Sequence, residues 1–310
     1  MRALAGWFSV GLMCLAGCDG LGPPGGLNQT DLPASPPFED QLSPASQAAA
    51  SYYQRVEDRH KTLGLLRTDG GGPDVPFDDR RLFETFMATA FSREFSDVGA
   101  ALVRREDTSK LHRWETPVRV QAFFGASVPN SQRAEDGAAI ARYAERLGRV
   151  TDHPISSVDR NGNFAVLVLS EDERRVSGPL LRRLVPGIRD REINLIENLD
   201  RATYCLVVAS APNVDGVLTR AVAVIRSELP PLLRLSCIHE EIAQGLGLSN
   251  DSARARPSIF NDDDEFGRLT TMDERLLQML YSSQLSPGMD AETARPLVQQ
   301  MANALTAPGF

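Results

Sequence analysis

The run Phe164-Ala165-Val166-Leu167-Val168-Leu169 has six consecutive apolar residues and follows the turn pair Asn161-Gly162. Successive side chains of a strand point to opposite faces, so an unbroken apolar run suits a strand covered on both sides. Tyr204-Cys205-Leu206-Val207-Val208-Ala209 is a second such run, and Val118 to Phe124, after Pro117, reads as another strand. Val217 to Ile225 alternates less cleanly and reads as a further one. Helical spacing appears elsewhere. Leu82, Phe83, Phe86, Met87, Ala90 and Phe91 form one stripe, which suits a core better than a ligand box. Residues 134–148 place Ile140, Tyr143, Ala144 and Leu147 on one face, with Gly148 as a stop. Leu232 to Leu248 follows Pro230-Pro231, and Leu269 to Tyr281 has Thr270 as a cap with Asp273 in its first turn. No internal repeat is present. The order helix, strand, helix, strands, helix, loop, helix predicts one α+β domain over residues 78–285. Residues 51–77 are expected to hold a short helix and a Gly-rich loop, and residues 286–310 a weak helix or a loose tail.

The N-terminus defines an address. Residues 1–18 read MRALAGWFSVGLMCLAGC, a single cation followed by an apolar run of signal-peptide length. The ending Leu15-Ala16-Gly17-Cys18 resembles the lipobox of bacterial lipoproteins. The resemblance implies removal of residues 1–17, lipidation of Cys18 and a stable membrane anchor. Asp19 resembles the inner-membrane retention signal that some bacteria place after that cysteine. The expected location is the cell envelope, facing the periplasm. Residues 19–50 hold six prolines and four glycines. That composition, from Cys18 to residue 50, predicts a disordered spacer.

Charge and residue counts remove several function classes. With 33 Lys+Arg against 41 Asp+Glu, the net charge is -8, which argues against nucleic acid as a partner. Four histidines make a three-histidine metal site hard to assemble, and no Cys-x-x-Cys spacing supports a zinc ribbon. Beyond Cys14 and Cys18, only Cys205 and Cys237 remain. An oxidising compartment favours a disulfide between them. Two buried free thiols are the alternative.

The most informative stretch is Glu240-Glu241-Ile242-Ala243-Gln244-Gly245-Leu246-Gly247-Leu248-Ser249-Asn250-Asp251. It resembles the zinc-binding segment of metzincin peptidases in its matrixin form, His-Glu-x-x-His-x-Leu-Gly-Leu-x-His. Ser258-Ile259-Phe260-Asn261 is similar to the Met-turn element, with Phe260 in place of methionine. Leu269-Thr270-x-x-Asp273 and Leu277-Gln278-x-Leu280-Tyr281 resemble the closing helix. The resemblance implies a zincin-like domain with a mostly parallel twisted sheet, an active-site-type helix and a C-terminal helix. All three ligand positions depart from the pattern, since Glu240, Gln244 and Asn250 stand where histidines belong. The general-base position, Glu241, is kept. A rival frame starting at His239 loses the second ligand and puts Leu246 where the glycine belongs. The signature is also similar to bacterial lipoproteins carrying a domain of unknown function.

Glu240 and Gln244 are one helical turn apart, and Glu241 is offset by about 100°. One carboxylate and two amides make a poor zinc site, so no cofactor is expected. An oxygen-only set, helped by Asp251, Asp262, Asp263 or Asp264, would suit a hard divalent cation such as calcium. The bland reading is a solvated helix face. The first expectation is a non-catalytic interaction module in which Glu240, Glu241, Gln244 and Asn250 line a degenerate cleft for a peptide, glycan or envelope protein. A hydrolase using Glu241 as general base, with Glu240, Gln244 and Asn250 on a metal, is an alternative. A purely structural envelope protein is another.

Overall fold

The structure, a computed structural model, describes residues 42–98, 101–213, 215–261 and 263–307. The signal segment, Cys18 and most of the spacer lie outside the described residues. The elements are α1 (Pro44–Thr62), α2 (Asp79–Ala90), β1 (Ser92–Val98), β2 (Ala101–Thr108), β3 (Arg113–Trp114), β4 (Val118–Phe124), α3 (Asn130–Thr151), β5 (Ile155–Ser157) and β6 (Phe164–Leu169). Then follow α4 (Glu171–Arg174), α5 (Gly178–Leu184), α6 (Asp190–Glu197), β7 (Cys205–Ser210), β8 (Val217–Leu218), β9 (Arg220–Arg226), α7 (Pro231–Gln244), α8 (Thr271–Leu280) and α9 (Ala291–Leu305). The fold is α+β, with a parallel-rich central sheet. No helix among the described residues is long and apolar enough to cross a membrane.

The central sheet has the order β5-β4-β6-β9-β7. β5, β4, β6 and β9 run parallel, and β7 is an antiparallel edge strand. β6 lies in the middle, and all six of its residues are buried. Its period of two divides the apolar run between two cores. Phe164 and Val166 join the large cluster built with α2, α3, α7, α8 and α9. Ala165, Leu167 and Leu169 join a smaller cluster with Leu180 and Leu181 of α5 and Ile193 and Ile196 of α6. β9 is split in the same way, with Ala221, Ala223 and Ile225 on one face and Val222 and Val224 on the other.

Three parts of the chain differ from the expectation. The spacer ends earlier, because α1 begins at Pro44. Proline at the start of a helix loses no hydrogen bond and has its φ already set, so it starts this helix and does not prevent it. Ser43 caps α1 by accepting from the Ser46 N–H at 3.2 Å. Ser46, Ala49, Tyr53 and Glu57, spaced by three or four residues, form its buried face. The C-terminal segment is a full helix. Ala294, Val298, Met301 and Ala302 of α9 are buried, and α9 packs on α2 and α8. Between α2 and β4 the chain forms an antiparallel hairpin of β1 and β2, apart from the main sheet. The charged residues scattered through residues 93–107 mask any alternation there.

α1 is joined to the core by buried polar contacts. The Glu57 carboxylate accepts from the backbone N–H groups of Leu232 and Leu233, each at 3.0 Å, and pairs with Lys61. It therefore satisfies two of the open donors at the N-terminus of α7 and opposes the positive end of the helix dipole. Ser46 Oγ donates to Glu228, and Tyr53 Oη donates to the Arg201 carbonyl at 3.1 Å. Glu57→Ala is expected to cost about 2 kcal/mol in chemical denaturation, from the lost charged cap and its two abandoned donors. An unchanged denaturation midpoint would show that this contact contributes nothing.

Candidate functional site

α7 carries the site. Pro231 occupies its first turn, where its missing N–H is harmless. Leu233, Ile238 and Ile242 turn toward the core, while Ser236, Glu240, Glu241 and Gln244 line a cavity of about 240 Å³. The opposite wall is Tyr204, Cys205 and Leu206, at the start of β7. Asp251, Ile259, Asn261, Asp264 and Phe266 also line it. Glu240, Glu241, Asp251 and Asp264 give it four carboxylates, and no Lys, Arg or His is among its described lining residues. The Cys205–Cys237 disulfide is formed and joins β7 to α7 at this wall.

The end of α7 is fixed by close backbone approaches. Gly247 has φ +129, and a Cβ there would lie 2.0 Å from the His112 carbonyl oxygen. Only glycine fits that turn. The Gly245 carbonyl accepts from Trp114 Nε1 at 2.9 Å, and the Leu246 carbonyl accepts from Tyr281 Oη at 3.1 Å. These contacts hold the sharp turn that leads the chain back along the cavity.

The structure brings Glu240, Glu241 and Gln244 together, and it separates Asn250 from them. Asn250 is 3 % exposed, and its Nδ2 donates to the Ala88 and Asp251 carbonyls at 3.1 and 2.8 Å. It serves as a strut to α2. The next residue, Asp251, faces the cavity and accepts from Gln244 Nε2 at 2.7 Å. The turn after Gly247 thus delivers a carboxylate one position later than the sequence pattern indicates. Asp264 also lines the cavity, whereas Asp263 does not, and Asp262 lies outside the described residues. Tyr204, Ser236 and Phe266 were not legible as wall residues, because they belong to no spacing pattern.

The segment whose sequence resembles a Met-turn is a structural pin. Phe260 is fully buried in the large core. Asp273 of α8 accepts from Ser258 Oγ at 2.5 Å, from Ile259 N at 3.0 Å, and from Thr270 N and Oγ1 at 2.8 Å each. Thr270 caps α8 in return, completing a capping box. Burial pushes the Asp273 carboxyl up to about 6.

A zinc ion of the metzincin kind does not fit the residues at the expected ligand positions. Asn250 is committed elsewhere, Gln244 is held by Asp251, and carboxamide oxygens are weak zinc donors. No chemical step is assigned to such an ion.

A second hollow of about 200 Å³ continues along β7. It shares Leu206 and Gln244 with the first and is lined further by Val207, Val208 and Ala209. Arg93, Arg189 and Glu192 stand at this end, Arg189 paired with Glu192, and burial lowers the pKa of the His112 ring beside them. The two hollows form a groove beside the edge strand, acidic at one end and mixed in charge at the other.

His239 takes no part in the groove. Its ring stacks on Tyr143 with centroids 4.0 Å apart, and Nδ1 accepts from Leu269 N at 3.1 Å. Burial, helped by Arg146 and Arg268, lowers its pKa to about 3. The folded chain therefore holds it neutral, while the unfolded chain protonates it near pH 6.5. Its contribution to stability is complete above pH 6.5 and is lost as the pH falls from there toward 3. Relative to His239→Gln, the wild-type chain is expected to lose about 3 kcal/mol between pH 7 and pH 4. Parallel denaturation curves for the two across that range would contradict this placement.

Comparison with known proteins gives one match. No curated protein and no solved structure matches the chain. Residues 79–300, from the start of α2 to within α9, match the family described as a protein of unknown function (DUF2927). The match covers well over half of the chain, and the protein belongs to this family.

Proposed function

We propose that the protein is a cell-envelope lipoprotein whose domain is a non-catalytic relative of the metzincins, and that its groove binds an extended polypeptide segment. The observation that carries this reading is the groove between the antiparallel edge strand β7 and the polar row of α7. An extended peptide can add to an open sheet edge through backbone hydrogen bonds, with alternate side chains seated in hollows. Here the hollows are the acidic well at Glu240 and Glu241 and the more apolar stretch beside Val207 and Ala209. Gln244 stands where the two meet and offers an amide to a passing backbone.

The metzincin kinship draws support from the sequence signature, from the largely parallel sheet, and from the glycine turn after α7. The ligand positions argue for binding without hydrolysis. Glu241 is 4 % exposed and set into the helix wall, and no three donors at the family positions hold a water for it to activate. The envelope location rests on the lipobox-like Leu15-Ala16-Gly17-Cys18 and on a disulfide of the kind oxidising compartments sustain.

Screening the full chain against an array of extended peptides is expected to yield binders whose affinity falls at least tenfold in Gln244→Ala and Glu241→Gln. Wild type and Glu241→Ala are expected to show the same absence of cleavage with the same peptides. Peptide cleavage abolished by Glu241→Ala would overturn the non-catalytic reading. Binding unaffected by both substitutions would move the ligand out of this groove.

A further inference from the structure

The acidic well of the groove contains a second arrangement, in which its two carboxylates lie beside a disulfide. Cys237, Glu240 and Glu241 lie at positions i, i+3 and i+4 of α7, so helical periodicity places them on one face. Cys205, on β7, stands directly opposite, bonded to Cys237. Ligand atoms of Cys205, Glu240 and Glu241 all lie within 4.8 Å of one another. Tetrahedral zinc with sulfur and oxygen ligands spaces its donors about 3.5 Å apart, from bonds of about 2.1–2.3 Å. Cys237 Sγ, bonded to Cys205 Sγ, would come to the ion from beside that group once the disulfide opens. While the disulfide is intact, neither sulfur is a thiolate, and the group offers only its two carboxylates.

We propose that Cys205, Cys237, Glu240 and Glu241 form a redox-gated binding site for a thiophilic divalent cation such as zinc, closed by the disulfide and opened by its reduction. The set is two thiolates and two carboxylates, which suits zinc and disfavours calcium or magnesium. It uses neither Gln244 nor Asn250. The order of attack follows from exposure. Cys205 lines the cavity and is part-exposed, whereas Cys237 is 2 % exposed. A thiolate of a dithiol reductant attacks Cys205 Sγ, and Cys237 leaves as a thiolate. The second thiol of the reductant then attacks the mixed disulfide, releases Cys205 and closes the reductant's own disulfide. Two electrons pass from the reductant to the Cys205–Cys237 pair. The cation binds both thiolates, and any remaining thiol protons leave to solvent. Reoxidation by a disulfide oxidant reverses the steps and expels the ion.

Cobalt(II) is a direct probe, because thiolate ligation gives a near-ultraviolet charge-transfer band that carboxylates do not. The full chain would be titrated with cobalt, as oxidised and after reduction under anaerobic conditions. Reduced chain is expected to take up one cobalt with the band and to release it to zinc. Oxidised chain should show no band. Cys205→Ser should weaken the band in reduced chain and the double variant Cys205→Ser, Cys237→Ser should abolish it, which separates this site from Cys14 and Cys18. Glu240→Gln should weaken cobalt binding at least tenfold while the same number of thiols titrates. Reduced chain with both thiols free, unchanged circular dichroism and no band overturns the proposal. A band that persists in the Cys205→Ser, Cys237→Ser double variant, or loss of the fold on reduction, overturns it equally, since the site needs α7 and β7 in place.

Discussion

The direction in which the polar face of α7 points depends on what holds the two ends of that helix. At its N-terminus a buried carboxylate, Glu57, accepts two backbone N–H groups that the helix cannot satisfy itself. At its C-terminus Gly247 passes so close to the His112 carbonyl that any side chain would collide. Trp114 and Tyr281 then hold the carbonyls of Gly245 and Leu246. Between these fixed points the helix has one rotational setting. Ile238 and Ile242 go into the core, and Glu240, Glu241 and Gln244 go to the groove. Rotation by one residue, about 100°, would turn the carboxylates from this polar cavity toward the apolar core, which is unfavourable.

The groove takes its character from this setting and from the edge strand facing it. β7 ends the strand order among the described residues, so it leaves a backbone edge beside α7. The disulfide spans the two walls at the acidic end and limits how far they can separate. Four carboxylates around a small cavity favour cationic groups of a ligand there, while the far end, with Arg93 and the Arg189–Glu192 pair, has no matching acidic excess. The charge pattern would orient an extended ligand as well as hold it.

Much of this was legible in the sequence, for physical reasons that differ by element. β6 was readable to the residue, because burial on both faces leaves no polar position in the run. α8 was readable from Thr270 and Asp273, whose reciprocal cap is local in the chain. The disulfide followed from compartment and from counting cysteines. α1 was half read: its start at Pro44 was hidden by the prolines around it, and its docking depends on Glu57 meeting a helix some 175 residues away. Asn250 was placed in the cleft by its spacing, yet the left-handed turn at Gly247 sends Asp251 there and Asn250 to α2. A motif records which residue types recur at which interval. It does not record the backbone torsion that decides which of two neighbours faces the cavity.

The central claim, an extended ligand paired to the edge of β7, is tested most directly by amide hydrogen exchange. Exchange would be followed residue by residue, with and without a bound peptide. The account predicts new protection in residues 206–210 of β7 and in the Gln244 region, with the distant β4 and β5 unchanged. Protection gained elsewhere, with β7 exchanging at its unliganded rate, would contradict it.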